Sequence, residues 1–173
     1  ARLTSERKLV QYVSKNSAPR DVYASKLAGI RTKSWVNNLF KGSGSYISSP
    51  NGAFDALIID EAHRLNEKSG MFSNLGENQI KEIINAAKCS IFFIDEDQRV
   101  TMKDIGSKGE IEFWGLQAGA NVHYLELESQ FRCNGSDGYL SWLDNMLSIR
   151  KTANISLKDL NYRFEVIDNP NIL

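Results

Sequence analysis

The chain has 173 residues with 21 basic and 21 acidic side chains, and 42% of its residues are hydrophobic. These values allow a packed core and argue against a disordered chain or a strongly cationic nucleic-acid binder. Two cysteines, Cys89 and Cys133, are too few and too far apart for a disulfide framework or a paired-thiol metal site. No apolar run approaches the roughly 20 residues of a membrane span. We therefore expect a soluble protein in a reducing, cytoplasmic setting, without a membrane partner.

Strand and helix patterns alternate along the chain. Continuous apolar runs predict buried parallel strands, and apolar residues at three-and-four spacing predict amphipathic helices. Ser107 and Glu110 have the spacing of a helix capping box. The predicted strands are residues 9–13, 54–59, 90–94, 121–127 and 164–167, and the predicted helices are residues 19–26, 33–40, 78–88, 107–118 and 138–149. This order predicts an α/β fold, a parallel sheet with right-handed crossovers.

A Gly- and Ser-rich loop, KGSGSYISSPNG, occupies residues 41–52. It lacks the G-K-[ST] ending of a phosphate-binding loop. We interpret Gly42 and Gly44 as part of a flexible connection rather than as a nucleotide cradle.

Polar clusters follow three of the predicted strands. Asp60 and Glu61 follow the strand at 54–59, and the other two clusters are residues 95–98 and 128–132. The carboxyl ends of parallel strands meet at one edge of a sheet, where ligands bind in open α/β folds. We therefore expect the three clusters to converge.

The residue types in these clusters suit phosphoryl transfer. Asp60 at a strand end can hold a hydrated Mg²⁺, and Glu61 beside it can polarise an attacking water. Gln98 can bond a γ-phosphate or that water, and the planar fork of Arg132 can neutralise charge on the phosphoryl group.

Each of these residues also has a simpler interpretation. Asp60, Glu61 and Gln98 can be solvated turn residues, and Arg132 can form a surface ion pair. The apolar run before Asp60 and the Ala-His-Arg after Glu61 favour the functional interpretation. His63 has no second histidine four residues on, so no zinc site is indicated, and without a G-x-S-x-G elbow a serine hydrolase has little support.

Three motifs in this order resemble those of superfamily I helicases. The DEAHR of residues 60–64 resembles Walker B, the IDEDQ of residues 94–98 resembles the D-x-x-Q of motif III, and the LESQFRC of residues 127–133 resembles motif IV. Over nearly its whole length the chain most closely resembles bacterial P-loop ATPases of the Schlafen group 3-like DNA/RNA helicase domain.

The resemblance implies a RecA-like P-loop NTPase sheet flanked by helices, with ATP and Mg²⁺ as cofactors. In that family pattern Asp60 binds Mg²⁺, Glu61 activates water, Gln98 senses the γ-phosphate and Arg132 contacts it. It also implies DNA or RNA as a partner.

One departure from the family concerns the Walker A loop, which the 173 residues lack. We expect a piece of a longer chain that binds ATP poorly by itself, with 1–133 a partial RecA-like domain and 134–173 a linker helix and the start of a second. The missing Walker A strand belongs between the strands at 90–94 and 121–127, so two edges are left unpaired. We expect them to close on each other or to pair with another chain.

The sequence thus predicts a fragment of a helicase-like ATPase acting on nucleic acid. The alternative is a non-catalytic scaffold or regulatory module that binds a partner protein. A metal-dependent nuclease built from Asp60, Glu61 and Asp95 is disfavoured, because Gln98 and Arg132 then have no role.

Overall fold

The computed structural model describes residues 6–70, 72–127, 137–156, 165, 167–169 and 171. The chain divides into two compact units, Ala1–Val122 and His123–Leu173. The strands of the first unit are β1 (Val10–Ser14), β2 (Phe40–Lys41), β3 (Ala56–Asp60) and β4 (Ser90–Phe92). Its helices are α1 (Ser17–Leu27), α2 (Lys33–Leu39), α3 (Gln79–Ala86) and α4 (Lys108–Gln117), with 3₁₀ turns at Ser43–Tyr46, Ala62–Arg64 and Glu96–Gln98. The described part of the second unit contains α5 (Asp137–Met146).

The four strands form one parallel sheet in the order β2-β1-β3-β4. Strand β3 lies between β1 and β4, with Ser14 beside its last residue, Asp60. Helices α1 and α2 connect β1 to β2, and α3 connects β3 to β4, whereas the connection from β2 to β3 contains only a 3₁₀ turn. The predicted α/β fold of the RecA-like type is confirmed.

The core of the first unit lies between the sheet and α3. Leu57 and Ile59 of β3 and Ile80 and Ile83 of α3 are completely buried. The three-and-four spacing of the isoleucines places them on one helical face, so the side of α3 that meets the sheet is apolar. Asn78 begins this helix by accepting hydrogen bonds from the N–H groups of Ile80 and Lys81.

Part of the Gly- and Ser-rich loop is packed rather than free. Ser43–Tyr46 forms a 3₁₀ turn, and Tyr46 is buried with its hydroxyl donating to Gln11 Oε1 at 2.9 Å. Its ring meets Phe54 edge-to-face with centroids 5.6 Å apart. The predicted flexible connection is therefore wrong for this turn, because the aromatic side chain anchors it to the core.

Two sequence predictions fail at sheet edges. Phe40 was predicted in a helix, but it begins β2 and pairs with Tyr12 of β1. Residues 121–127 form no strand, and Leu125 and Leu127 are exposed. The sheet of the described residues ends at β4, without the further strand on which the prediction for 121–127 depended. The strand predicted at 164–167 and the cluster at 128–132 lie outside the described residues.

The predicted helix α4 is confirmed, but only the Ser107 half of the predicted capping box is seen. The Ser107 hydroxyl accepts from the N–H of Glu110 at 3.1 Å. The Glu110 carboxylate accepts from the Trp114 indole at 3.0 Å, one helical turn along.

Replacing Ile83 with alanine tests the core. The change empties a completely buried site against the sheet and is expected to lower the free energy of unfolding by about 3 kcal/mol. Chemical denaturation of the purified chain measures this. The matched control is Ile30→Ala, because Ile30 is 72% exposed, and its effect should stay within about 0.5 kcal/mol. Equal effects of the two changes would contradict this placement of the core.

Candidate active site

Asp60 ends β3, and both oxygens of its carboxylate accept hydrogen bonds. Oδ2 accepts from the hydroxyl of Tyr12 on β1, and Oδ1 accepts from the N–H of Glu61 at 3.1 Å. Tyr12 is itself held by ring contacts with Tyr23 and Phe40, whose centroids lie 5.8 Å and 5.6 Å away. Burial and the bond to Asp60 raise the pKa of the Tyr12 phenol, so it stays a donor at neutral pH. The orientation of Asp60 is thus fixed by a neighbouring strand.

Glu61 turns the chain out of the sheet in the left-handed conformation, with φ 54° and ψ 44°. A residue with a side chain adopts this region at a cost of about 1 kcal/mol. The N–H of Ala62, the next residue, donates to the carbonyl of Phe93 at 2.8 Å and ties the turn to the segment after β4. The Glu61 side chain remains one-third exposed, at 33%.

His63 connects the two strand ends. Its side chain is 3% exposed, and its Nε2 lies 3.2 Å from Glu61 Oε2. Its Nδ1 accepts from the backbone N–H of Asp95 at 3.3 Å. Both ring nitrogens of this buried histidine therefore have partners, one on each polar cluster.

Gln98 lies in the 3₁₀ turn Glu96–Gln98 that follows β4. Its side-chain amide donates to Asp95 Oδ2 at 2.7 Å, and Asp95 Oδ1 accepts from the N–H of Asp97 at 3.2 Å. Glu61, His63, Asp95 and Gln98 thus form one chain of contacts. The sequence predicted that the first two polar clusters share an edge, and the structure brings Glu61 and Gln98 into this chain. Arg132, the remaining predicted site residue, lies outside the described residues.

Gly106 packs against the backbone of the 3₁₀ turn Ala62–Arg64. A Cβ on Gly106 would lie 1.9 Å from the carbonyl oxygen of Ala62 and 2.6 Å from the Cα of His63. The neighbouring N–H of Ile105 donates to the carbonyl of Leu65 at 2.8 Å. The loop before α4 therefore packs backbone to backbone against the turn, and only glycine allows this approach.

Asp104 is a buried carboxylate that fixes the same turn. It lies 3.3 Å from both Lys15 Nζ and Arg64 Nε, and it accepts hydrogen bonds from the N–H groups of Val100 and Thr101. Burial by itself would raise the pKa of Asp104, but the hydrogen bonds from Thr101, Val100 and Lys15 outweigh it and lower the pKa to about 2. Asp104 is thus an ionised brace between the ends of β1 and β3.

The donor set suits Mg²⁺ better than a transition metal. Among the described residues, no three His, Cys, Asp or Glu side chains converge into a ready-made metal site. Mg²⁺ commonly takes one or two protein carboxylates and completes its shell with water and substrate phosphate. Asp60 accepts hydrogen bonds at both oxygens, as an ionised carboxylate does, and each oxygen has a further lone pair. It therefore fits a Mg²⁺ held partly through water.

Sequence reasoning missed three supporting residues. Tyr12 bonds Asp60, which is 48 positions away, and Asp104 bonds Lys15, which is 89 positions away. No local spacing in the sequence indicates contacts between residues so far apart. For His63, the spacing of the histidines argued against zinc and indicated no other role. Its position two residues after Glu61 is a signal that could have suggested a partner for that carboxylate.

The fold and the strand-end carboxylates define the class of this protein as a RecA-like α/β domain with its candidate site at the carboxyl edge of the sheet. The family model described as "Schlafen group 3, DNA/RNA helicase domain" matches residues 1–173. The chain therefore belongs to this helicase-domain family, as the sequence motifs predicted.

A yeast relative shows how much of a longer protein this region can represent. The chain is 26% identical over 131 residues to the uncharacterized protein YPL245W of Saccharomyces cerevisiae. That match covers 72% of this chain and 27% of the yeast protein, so the chain spans about a quarter of its curated relative. No solved structure gives a significant match.

None of the helices in the described ranges is long and apolar enough to cross a bilayer.

Replacing Glu61 tests the backbone strain at the turn. Glycine adopts the left-handed conformation without a steric cost, so Glu61→Gly is expected to be about 1 kcal/mol more stable than Glu61→Ala. Denaturation of the two variants measures the difference. If alanine proved as stable as glycine, the left-handed turn would be wrong.

The low pKa of Asp104 predicts a pH-dependent contribution to stability. Because the folded pKa of about 2 lies below the ordinary 3.8, the contribution is complete above the ordinary value and is lost as the pH falls through 2. Asp104→Asn is expected to cost about 2 kcal/mol at pH 7, with the difference from the unchanged chain shrinking between about pH 5 and pH 2.

Denaturation at several pH values checks this expectation, with the exposed Glu67→Gln as control. A cost for Asp104→Asn that is the same at pH 7 and at pH 2 would show that its charge does not brace the turn.

Proposed function

We propose that this chain is part of an ATP-hydrolysing, superfamily I helicase-like protein that acts on DNA or RNA. The observation that carries the proposal is the meeting of Asp60, Glu61 and Gln98 at the carboxyl edge of one parallel sheet, with Glu61 and Gln98 in one chain of contacts. Membership of a DNA/RNA helicase domain family supports it.

Asp60 would hold Mg²⁺ through its carboxylate. Tyr12 and the N–H of Glu61 keep that carboxylate in one orientation, so little ordering remains for the moment of binding. When bound, Mg²⁺ supplies positive charge to the phosphate oxygens at which negative charge develops.

Glu61 would orient and polarise the attacking water. His63 contacts one carboxylate oxygen, Oε2, which restricts the side chain while its partial exposure leaves it accessible to water. Gln98, in the turn after the neighbouring strand β4, would bond the γ-phosphate or the same water. Arg132 is proposed as the phosphate contact on the strength of its motif.

The phosphate-binding loop would come from a part of the whole protein outside these 173 residues. The sequence contains no G-K-[ST], and the chain spans 27% of its yeast relative. The outer edge of β4 is the place where a further strand fits.

The nucleic-acid partner rests on the family. The chain has balanced charge, which adds no electrostatic argument for binding phosphate backbones. We propose that ATP hydrolysis is coupled to closure of two lobes on DNA or RNA.

The test measures Mg²⁺-dependent ATP hydrolysis by a protein that carries this chain together with a Walker A loop, with and without single-stranded DNA or RNA. Hydrolysis stimulated by nucleic acid is expected. Glu61→Gln should lower kcat by at least about 100-fold while nucleotide still binds, because only the water-activating carboxylate is lost.

The control is Glu67→Gln, an exposed glutamate six residues along, which should leave hydrolysis unchanged. Hydrolysis without stimulation would keep the ATPase and remove the nucleic-acid partner. Absence of hydrolysis would favour the partner-binding module, and nucleic-acid cleavage without ATP would favour a nuclease.

A further inference from the structure

We propose that His63 is a positioning residue that couples the Glu61 carboxylate to the loop carrying Gln98. The chemical roles of Glu61 and Gln98 rest on the function proposed above, whereas the coupling rests on the contacts of His63. Through His63, a change in the position of Glu61 would change the position of the loop that carries Gln98.

The hydrogen bonds of His63 define its tautomer. Nδ1 accepts from the N–H of Asp95, so in the neutral ring the proton is on Nε2. Nε2 faces Glu61 Oε2 at 3.2 Å and therefore donates to an ionised carboxylate. The His63 ring thus donates to Glu61, at the end of β3, and accepts from Asp95, in the segment after β4.

The ring is held too firmly to serve as a loose surface contact. Its side chain is 3% exposed, and the backbone of Gly106 packs directly against the Cα of His63. Because the ring has little room to rotate, a displacement of Glu61 must either break the contact with Nε2 or move the ring.

The path continues from the backbone of Asp95 to the side chain of Gln98. The N–H of Asp95 bonds His63, while its carboxylate accepts from the amide of Gln98 at 2.7 Å. The same amide has a second N–H, so it can bond a phosphate while its bond to Asp95 sets its position. The position of Gln98 and the position of Glu61 are therefore linked through His63 and Asp95.

The experiment uses nuclear magnetic resonance on the 173-residue chain labelled with ¹⁵N, without nucleotide. His123 is the second histidine, so a His123→Gln variant assigns the ring signals. We expect the neutral ring of His63 to carry its proton on Nε2. In Glu61→Ala the His63 ring signals, the Asp95 backbone amide and the Gln98 side-chain amide should all shift, whereas the matched control Glu67→Ala should move none of them.

A second pair of variants tests His63 itself. His63→Phe keeps a ring but removes both nitrogens, so hydrogen exchange of the Asp95 amide should become roughly fivefold faster, as expected for one lost hydrogen bond. His63→Gln retains a donor and an acceptor and should recover part of that protection. A purely structural role for the ring predicts no such recovery by glutamine.

The proposal is overturned if Glu61→Ala leaves the Asp95 and Gln98 signals unchanged, or if the neutral ring carries its proton on Nδ1. Should His63→Phe fail to fold, Glu61→Ala decides the matter, because that side chain is partly exposed. All readouts are independent of ATP. Coupling without hydrolysis would refute the proposed function alone, and hydrolysis without coupling would refute this proposal alone.

Discussion

The structure depends on the pairing of β3 with a parallel strand on each side. Its residues 57–59 pair with both β1 and β4, and Leu57 and Ile59 are completely buried beneath α3. A strand enclosed in this way must be apolar along its length, and its polar residues can appear only where it leaves the sheet. Asp60 and Glu61 stand at that exit, so the need to bury β3 also determines where the carboxylates lie.

The exit is stabilised by contacts from distant parts of the chain rather than by its own conformation. Glu61 is in the left-handed region, and the compensating contacts come from Tyr12 of β1, the backbone around Gly106 and the ion pairs of Asp104. Strain of this kind persists only where the surroundings enforce it, and it is concentrated at functional sites. The arrangement keeps two carboxylates oriented before any ligand arrives, as the proposed catalysis by positioning requires.

The sequence predicted those elements and site residues that depend on local patterns. The apolar run before Asp60 indicated β3, the isoleucine spacing indicated α3, and the strand-end order indicated that Glu61 and Gln98 share an edge. The prediction for 121–127 is wrong because a strand forms only beside another strand, and the described sheet ends at β4 without the strand that this prediction required. Tyr12 and Asp104 were not predictable, since hydrogen bonds across the sheet depend on strand register rather than on sequence spacing.

We propose that Asp60 and Glu61 face the metal and the attacking water of ATP hydrolysis. The most direct measurement is a crystal structure of a family member carrying this chain and a Walker A loop, bound to Mg²⁺ and a transition-state analogue of ATP. Mg²⁺ is expected on the Asp60 carboxylate, directly or through one water, and a water is expected between Glu61 and the analogue of the γ-phosphate. Nucleotide and metal bound away from the carboxyl end of β3 would contradict this proposal.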